Sequence, residues 1–374
     1  MGTLQETLES GLKAETAGCD HPLYPGAVAL LMHDGAVVEQ ATVGDAVLYT
    51  AGDDGLRPLP PGQRVPMRPD TVFDIASLNK LFTAVTTLAL VDDGLVSLDA
   101  PVAPLAPEWA GDQRGQLTFR HLLTHTSGLP AVLRLWELPT QARRMASVFE
   151  TPLRSMPGTA FEYSCVGYIV AGLLLERLTG TRLPRLVSET VLEPLGLNDT
   201  TYLPGSALLD RIAATEHQPY VGRGIVRGAV HDENNWFLGG TAGNAGLFST
   251  AADLARFAEM LRRGGELDGQ RILSAEAVGQ MTSDQLPLSL DPGYRQGIGP
   301  RIGDRSFMGV LAEHRAFGHT GFTGTSLVIT PRLKTVTILL TNRVHPSRDW
   351  SVISGIRQKV AALSAETAVP SRSG

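Results

Sequence analysis

The chain has 374 residues, a formal net charge of -6, and a composition that is 43% hydrophobic but only 6% aromatic, which fits a soluble globular protein of one large domain or two ordinary ones. This charge gives no basic field, so nucleic acid and anionic membrane surfaces are not expected partners. Two cysteines, Cys19 and Cys165, are too few for a disulfide framework or a structural zinc site.

In chain order, the spacing of Leu4, Leu8 and Leu12 predicts a short amphipathic helix. The N-terminus has no basic stretch followed by an apolar run, so it does not read as a secretory signal. No segment reaches the ~18 apolar residues that a membrane span needs. A cytoplasmic protein is expected. "AVALLMHDGAVVEQATVG", from Ala27 to Gly44, has two β-type runs around Asp34-Gly35, which predicts a hairpin. The Pro/Gly-rich stretch from Ala51 to Asp70 reads as a loop.

From Thr71 to about Leu197 helical patterns dominate. One helix is expected to end at Gly180 as its C-cap. Another follows Ser249 or Thr250 as N-cap and ends at Gly264. "TSLVITP" and "TVTILLTN" read as two late strands, followed by a helix from about Trp350 to Leu363. Strands at both ends with helices between them predict an α/β fold. The N- and C-terminal strands form an antiparallel sheet (1–80 and 250–374), and an all-helical region (81–249) is inserted between them. Residues 364–374 are expected to be a disordered tail. The junction of sheet and insertion is the natural place for a cleft.

One residue stands out in "TVFDIASLNKLFTAVTTLALVDDG". Between Asp74 and Asp92 every residue is apolar or neutral except Lys80. Leu78, Leu81, Phe82, Val85, Leu88 and Ala89 recur at helical spacing, and the other face offers only Asn79, Thr83, Thr86 and Thr87, so the helix is expected to be buried all round. Ser77 lies three residues before Lys80, close enough for the two side chains to meet in the first turn. A serine hydroxyl needs a base to become a nucleophile, and burial lowers a lysine's pKa, so a neutral Lys80 is a candidate for that base. Ser77 near a helix N-terminus also has backbone N–H groups at hand for an oxyanion. The plainer reading makes Ser77 an N-cap and lets Lys80 snorkel to solvent.

Three further segments favour the chemical reading. They are Tyr163-Ser164-Cys165 just before a helix, His319-Thr320-Gly321 just before a β run, and "LLTHTSGLP" from Leu122 to Pro130. With the Ser77-x-x-Lys80 pattern and "GGTAGNAGLFSTAADLARFAEML" they resemble the serine β-lactamase and penicillin-binding-protein superfamily. The resemblance runs from about Val28 to Asn342 and is strongest to the class C β-lactamase-like branch. That branch includes family VIII carboxylesterases, D-aminopeptidases, and penicillin-binding-protein-type thioesterases and transacylases.

The resemblance implies a β-lactamase-like fold with Ser77 as acyl-accepting nucleophile, Lys80 as its activator, Tyr163 as proton relay and His319 beside them. Either Lys80 or Tyr163 is the base, with Lys80 and His319 as cations for the tyrosine. A backbone N–H near Thr323, after Gly321, would complete the oxyanion hole with that of Ser77. Cys165 stands where the family usually has asparagine, which argues against efficient β-lactam turnover. It reads as a small buried filler rather than a second nucleophile. Trp236 in "VHDENNWFLGG" lines the acyl pocket or anchors a loop. That stretch and the one from Met281 to Phe317 are candidate lids. His121 and His125 lack further ligands at metal spacing, and no metal or cofactor is expected.

The expected activity is a serine acyl-enzyme hydrolase acting on esters, thioesters or amides of a small-molecule or peptide-like acyl substrate. The alternatives are an acyltransferase of a natural-product pathway and a penicillin-binding or D-peptidase enzyme of cell-wall metabolism. The oligomeric state is not legible.

Overall fold

The computed structural model describes residues 2–18, 20–52 and 55–368; Cys19 and the last six residues lie outside them. The expected hairpin forms β1 (Gly26–His33) and β2 (Ala36–Val47), joined through Asp34-Gly35. The segment expected as a loop instead contains β3 (Tyr49–Gly52) and β4 (Gly55–Pro58), which pair with each other, and β5 (Val65–Pro66), which pairs with β2. Then come β6 (Phe73–Asp74), β7 (Thr201–Tyr202), β8 (Leu247–Ser249), β9 (Glu266–Leu267), β10 (Gln270–Arg271), β11 (Arg295–Gln296), β12 (Arg301–Ile302), β13 (Phe317–Thr320), β14 (Ser326–Thr330) and β15 (Thr335–Thr341). The helices that matter for the site and its support are α1 (Leu4–Gly11), α2 (Asn79–Asp92), α3 (Cys165–Thr179), α4 (Ala251–Arg262) and α5 (Ser354–Thr367).

The main sheet runs β11-β12-β13-β14-β15-β1-β2-β5 and is antiparallel throughout. It brings the first strand of the chain against the last, with Ala29 opposite Leu339 and Leu30 opposite Ile338. Alternate residues of β1 feed two cores: Val28, Leu30 and Met32 join the large core shared with α2 and α4, while Ala27, Ala29 and Leu31 join Leu4, Leu8, Ile356 and Val360 of α1 and α5. Both faces are covered, which is why β1 is apolar without alternation.

The structure amends three expectations. The region between residues 81 and 249 is not wholly helical, because β7 and β8 complete a small sheet of order β6-β8-β7. The last helix starts at Ser354 rather than Trp350 and continues through Thr367, so the first residues of the expected disordered tail are helical. The stretch from Met281 to Phe317, read as a lid, supplies β11 and β12 to the sheet edge.

α2 is buried from Asn79 to Leu90, and its polar residues explain how. Asn79 Nδ2 donates to the carbonyls of Ala242 (3.3 Å) and Gly243 (3.0 Å), its Oδ1 accepts from Leu247 N (3.1 Å), and Thr83 Oγ1 donates to Gly243 O (2.8 Å). The helix thus binds the Gly-rich segment through neutral groups that meet its backbone. Glycine is required at 243, where a Cβ would lie 2.2 Å from the carbonyl oxygen of Tyr168 on α3.

His345, just after β15, ties this frame to the β2–β3 connection. Its Nε2 accepts from the N–H groups of Leu48 (3.2 Å) and Tyr49 (3.0 Å), so Nδ1 carries the proton and donates to Thr215 O (2.9 Å). Burial pushes its pKa from 6.5 down to about 4. A base with a depressed folded pKa contributes stability that is full above the unfolded value and is lost as pH falls toward the folded one. Stability should therefore fall between pH 6.5 and about 4, by up to about 3 kcal/mol from this residue. In urea titrations His345→Gln, whose amide can make the same bonds, should lower the slope of stability against pH in that window by about one proton. An unchanged slope would remove His345 as its source.

Candidate active site

The chain turns sharply into α2. Ala76 has φ 46°, a left-handed conformation that costs a non-glycine residue. Asp74 holds it: Oδ1 accepts from Ala76 N (2.8 Å), Oδ2 from His231 N (2.6 Å), and its carbonyl accepts from Thr323 Oγ1 (2.7 Å). One buried aspartate therefore ties together the turn before Ser77, the loop at His231 and the turn after β13. Ser77 lies in the single 3-10 turn Ala76–Leu78 and makes no capping bond to α2, which begins at Asn79.

Lys80 is fully buried and does not snorkel. Its Nζ donates to Ser77 Oγ (2.9 Å), to the carbonyl of Asn244 (3.1 Å) and to Cys165 Sγ (3.5 Å). These three contacts match the three donors that an ammonium offers. Burial alone would push the Lys80 pKa down, as the sequence suggests, but Cys165, Tyr163 and Asp232 oppose it and hold it above the ordinary lysine value. Burial is as expected, and the acidic side chains around Lys80 oppose its effect on the pKa.

Tyr163 precedes α3, and its ring lies between two cations, Lys80 Nζ at 5.2 Å and the guanidinium of Arg301 at 5.3 Å from the ring centroid. His125, weighed as a metal ligand, instead packs on the Tyr163 ring at 4.4 Å, and its Nδ1 accepts from Ser164 N (3.0 Å). It braces the tyrosine segment. His319 is also buried, with Nδ1 on Thr320 O (2.8 Å) and Nε2 without a partner among the described residues. Burial, then Arg301 and Lys80, push its pKa well below 6.5. This direction favours the neutral form of His319, and the guanidinium of Arg301 is a second cation beside Tyr163.

Ser77, Tyr163 and Arg301 share a cavity of about 300 Å³ with Thr320, Gly321 and Phe322. Its remaining wall comes from the C-terminal segment, through Arg343, Val352, Ile353 and Arg357. Near Thr323, where the second oxyanion N–H is expected, Phe322 lines the cavity, while Thr323 turns its hydroxyl to the Asp74 carbonyl. Glycine is needed at 321, where a Cβ would lie 2.0 Å from Thr325 Oγ1 and 2.5 Å from Ile75 O. Cys165 does not line the cavity either. It stands behind Lys80, its thiol pushed up by burial more than Lys80 pulls it down. Trp236 is 41% exposed, carries the Arg223 guanidinium at 4.5 Å from its ring and is not part of the wall.

Three arginines in the wall had no signal in the sequence. Arg301 pairs with Asp304 at 3.1 Å. Among the described residues neither Arg343 nor Arg357 has a carboxylate within 4.0 Å; both donate to backbone carbonyls, and Arg357 Nε has no partner. Burial, together with Arg343 and Arg301, pushes Arg357 from 12.5 down to about 9. A chain of net negative charge thus concentrates unpaired positive charge beside one serine. A larger depression of about 770 Å³ around Asp112, Arg114 and Glu150 holds no comparable set of groups. Among the described residues no group of three His, Cys, Asp or Glu could hold a metal ion, and no helix is long and apolar enough to cross a membrane.

Known proteins share this frame. The family model described as Beta-lactamase matches residues 14–361. A "Putative D-alanyl-D-alanine carboxypeptidase" of Escherichia coli (strain K12) is 30% identical over 357 residues, covering 86% of this chain and 79% of the relative. Its counterpart in Salmonella typhimurium is 29% identical over 354 residues, with the same coverage. Among solved structures, the octameric penicillin-binding protein homologue from Pyrococcus abyssi superposes with a TM-score of 0.72 at 24% identity, covering 98% of this chain and 78% of that one. EstCE1, a hydrolase with promiscuous acyltransferase activity, also gives a TM-score of 0.72, at 21% identity, covering 96% and 98%. At these identities the structures share the fold, and the match of sequence over nearly the whole chain supplies the rest: the chain belongs to the β-lactamase family.

Proposed function

We propose that the protein is a serine acyl-enzyme hydrolase that cleaves an ester or amide whose leaving group carries a free carboxylate. The observation that carries this reading is Ser77 Oγ held by Lys80 Nζ at 2.9 Å, in a cavity shared with Tyr163 and three guanidiniums. Ser77 Oγ attacks the carbonyl carbon. Because Lys80 donates to that oxygen, the hydroxyl hydrogen is free to point at an acceptor in the cavity. Tyr163 receives this proton as it hands its own to the departing group, the acyl-enzyme forms, and water resolves it by the same relay in reverse. Lys80 stays an ammonium that fixes the serine and stabilises the charge that builds up. The N–H groups of Ser77 and Phe322 are the oxyanion donors, since that of Gly321 is already given to Thr325 O at 2.8 Å.

Arginine binds carboxylates through a fixed fork of donors, and a substrate carboxylate would pair charge that the described residues leave unpaired. The curated relatives named carboxypeptidases fit the same chemistry. Transfer of the acyl group to an amine or alcohol is the second reading, and the same site would serve it.

The test is intact mass after a fluorophosphonate, with the adduct mapped, followed by kinetics on an ester with a free carboxylate in its leaving group and on its methylated twin. An adduct on Ser77 and a preference of at least about tenfold for the carboxylate are expected. No adduct on Ser77 would overturn the serine reading, and an equal or reversed preference would remove the carboxylate. When amines compete with water, a product ratio that saturates with one amine would make the protein a transferase.

A further inference from the structure

The wall that carries Arg343 and Arg357 is not uniformly polar. Val352 is 79% exposed and Phe322 is 45% exposed, and both line the cavity, with buried Ile353 beside them. Exposed apolar groups scattered over a surface need no explanation, but here they converge on the cavity of the candidate nucleophile. The Phe322 ring is also fixed in place. The guanidiniums of Arg343 and Arg348 lie over it at 4.9 and 5.2 Å, and the His231 ring is 5.5 Å away. Arg348 is anchored in turn by Glu216 at 2.6 Å, and Arg343 Nε donates to the carbonyl of Phe322 itself at 3.0 Å. An aromatic side chain held in this way is a preformed contact surface rather than a mobile surface group.

The cavity, about 300 Å³, is at the small end of the range for small-molecule sites. It admits a reacting carbonyl and one amino-acid-sized unit. Apolar contacts and unpaired guanidiniums on a single wall suit a unit that carries both an apolar side chain and a negative charge. A single methyl group would leave Phe322 and Val352 wet.

We infer that the carboxylate-bearing leaving group has a large apolar side chain, which seats on Phe322 and Val352 while the carboxylate meets Arg343 and Arg357. This inference rests on the serine hydrolase reading above and narrows its substrate class to carboxyl-terminal apolar amino acids and the corresponding 2-hydroxy acids. When the bond breaks, the acyl carbonyl stays on Ser77 and the unit leaves as the free amine or alcohol with its carboxylate intact.

The experiment compares hippuryl esters of phenyllactate and of lactate, each in both enantiomers, on the full chain. For at least one enantiomer kcat/KM should favour phenyllactate by 10- to 100-fold, mainly through KM. Phe322→Ala and, separately, Val352→Ser should shrink that ratio, the first to within about threefold of unity. Val352 is so exposed that its substitution does not threaten folding, so the second variant reads the wall even if the first is poorly folded. A ratio near one in the native protein, or a ratio that survives both substitutions, overturns the inference. So does a protein that is labelled at Ser77 yet cleaves neither ester. Absence of labelling at Ser77 overturns the parent reading instead, which keeps the two failures distinguishable.

Discussion

Ser77→Ala should abolish covalent labelling and lower turnover by on the order of 10³-fold or more, with the fold intact. The size follows from what is removed: the relay through Tyr163 and the charge on Lys80 both act on one oxygen, and without it neither has work to do. The fold should survive because Ser77 Oγ makes no cap on α2. After its loss Lys80 Nζ keeps the Asn244 carbonyl at 3.1 Å and Cys165 Sγ at 3.5 Å. One lost hydrogen bond to a charged group costs about 1.5–3 kcal/mol at most, and a water in the vacated space would return part of it. Melting curves should therefore shift by a few degrees only. Comparable turnover in the variant, or an adduct that moves to Cys165 in native protein, would show that the nucleophile is another residue.

The Ser77 to Lys80 pair was legible in the sequence because its geometry is local: three residues on a helix turn place two side chains together whatever the rest of the chain does. The hairpin through Asp34-Gly35 and the Gly180 cap were legible for the same reason. Arg301, Arg343 and Arg357 were not. They come from β12, from the segment after β15 and from α5, and only the sheet order brings them to one cavity. On their own elements they look like ordinary surface arginines.

The surroundings of Lys80 were not legible for a related reason. Burial could be inferred from the apolar run, but the net shift depends on what faces the amine. Those neighbours, Cys165, Asn244 and Asp232, arrive through the Gly243 contact and the His231 loop. His319 shows a similar case: its motif was plain, while burial first, and then Arg301 and Lys80, which no motif announces, push its pKa down.

Lys80→Met should cost nearly as much activity as the loss of the serine, on the order of 10³-fold in kcat, and Tyr163→Phe should do likewise. Both groups serve one proton path, so the double variant should be little worse than either alone; independent contributions would multiply instead. Methionine replaces a buried cation with an apolar chain of similar length, which is often neutral or stabilising. Against that, the Asn244 carbonyl loses its Lys80 donor. The net should leave the thermal midpoint of Lys80→Met close to the native one, so that lost activity cannot be ascribed to unfolding. The pH profile separates the two roles open to this lysine. A neutral lysine acting as base would give kcat/KM a rise with pH through a depressed pKa. An ammonium held above the ordinary lysine value gives no such rise; the loss of its charge lies at alkaline pH above about 10.4, beyond the fall near pH 9 expected where Arg357 holds the carboxylate. Activity within tenfold of native in Lys80→Met, or an ascending limb near neutrality that Lys80→Arg displaces upward, would return the role of base to Lys80 and leave Tyr163 as a bystander.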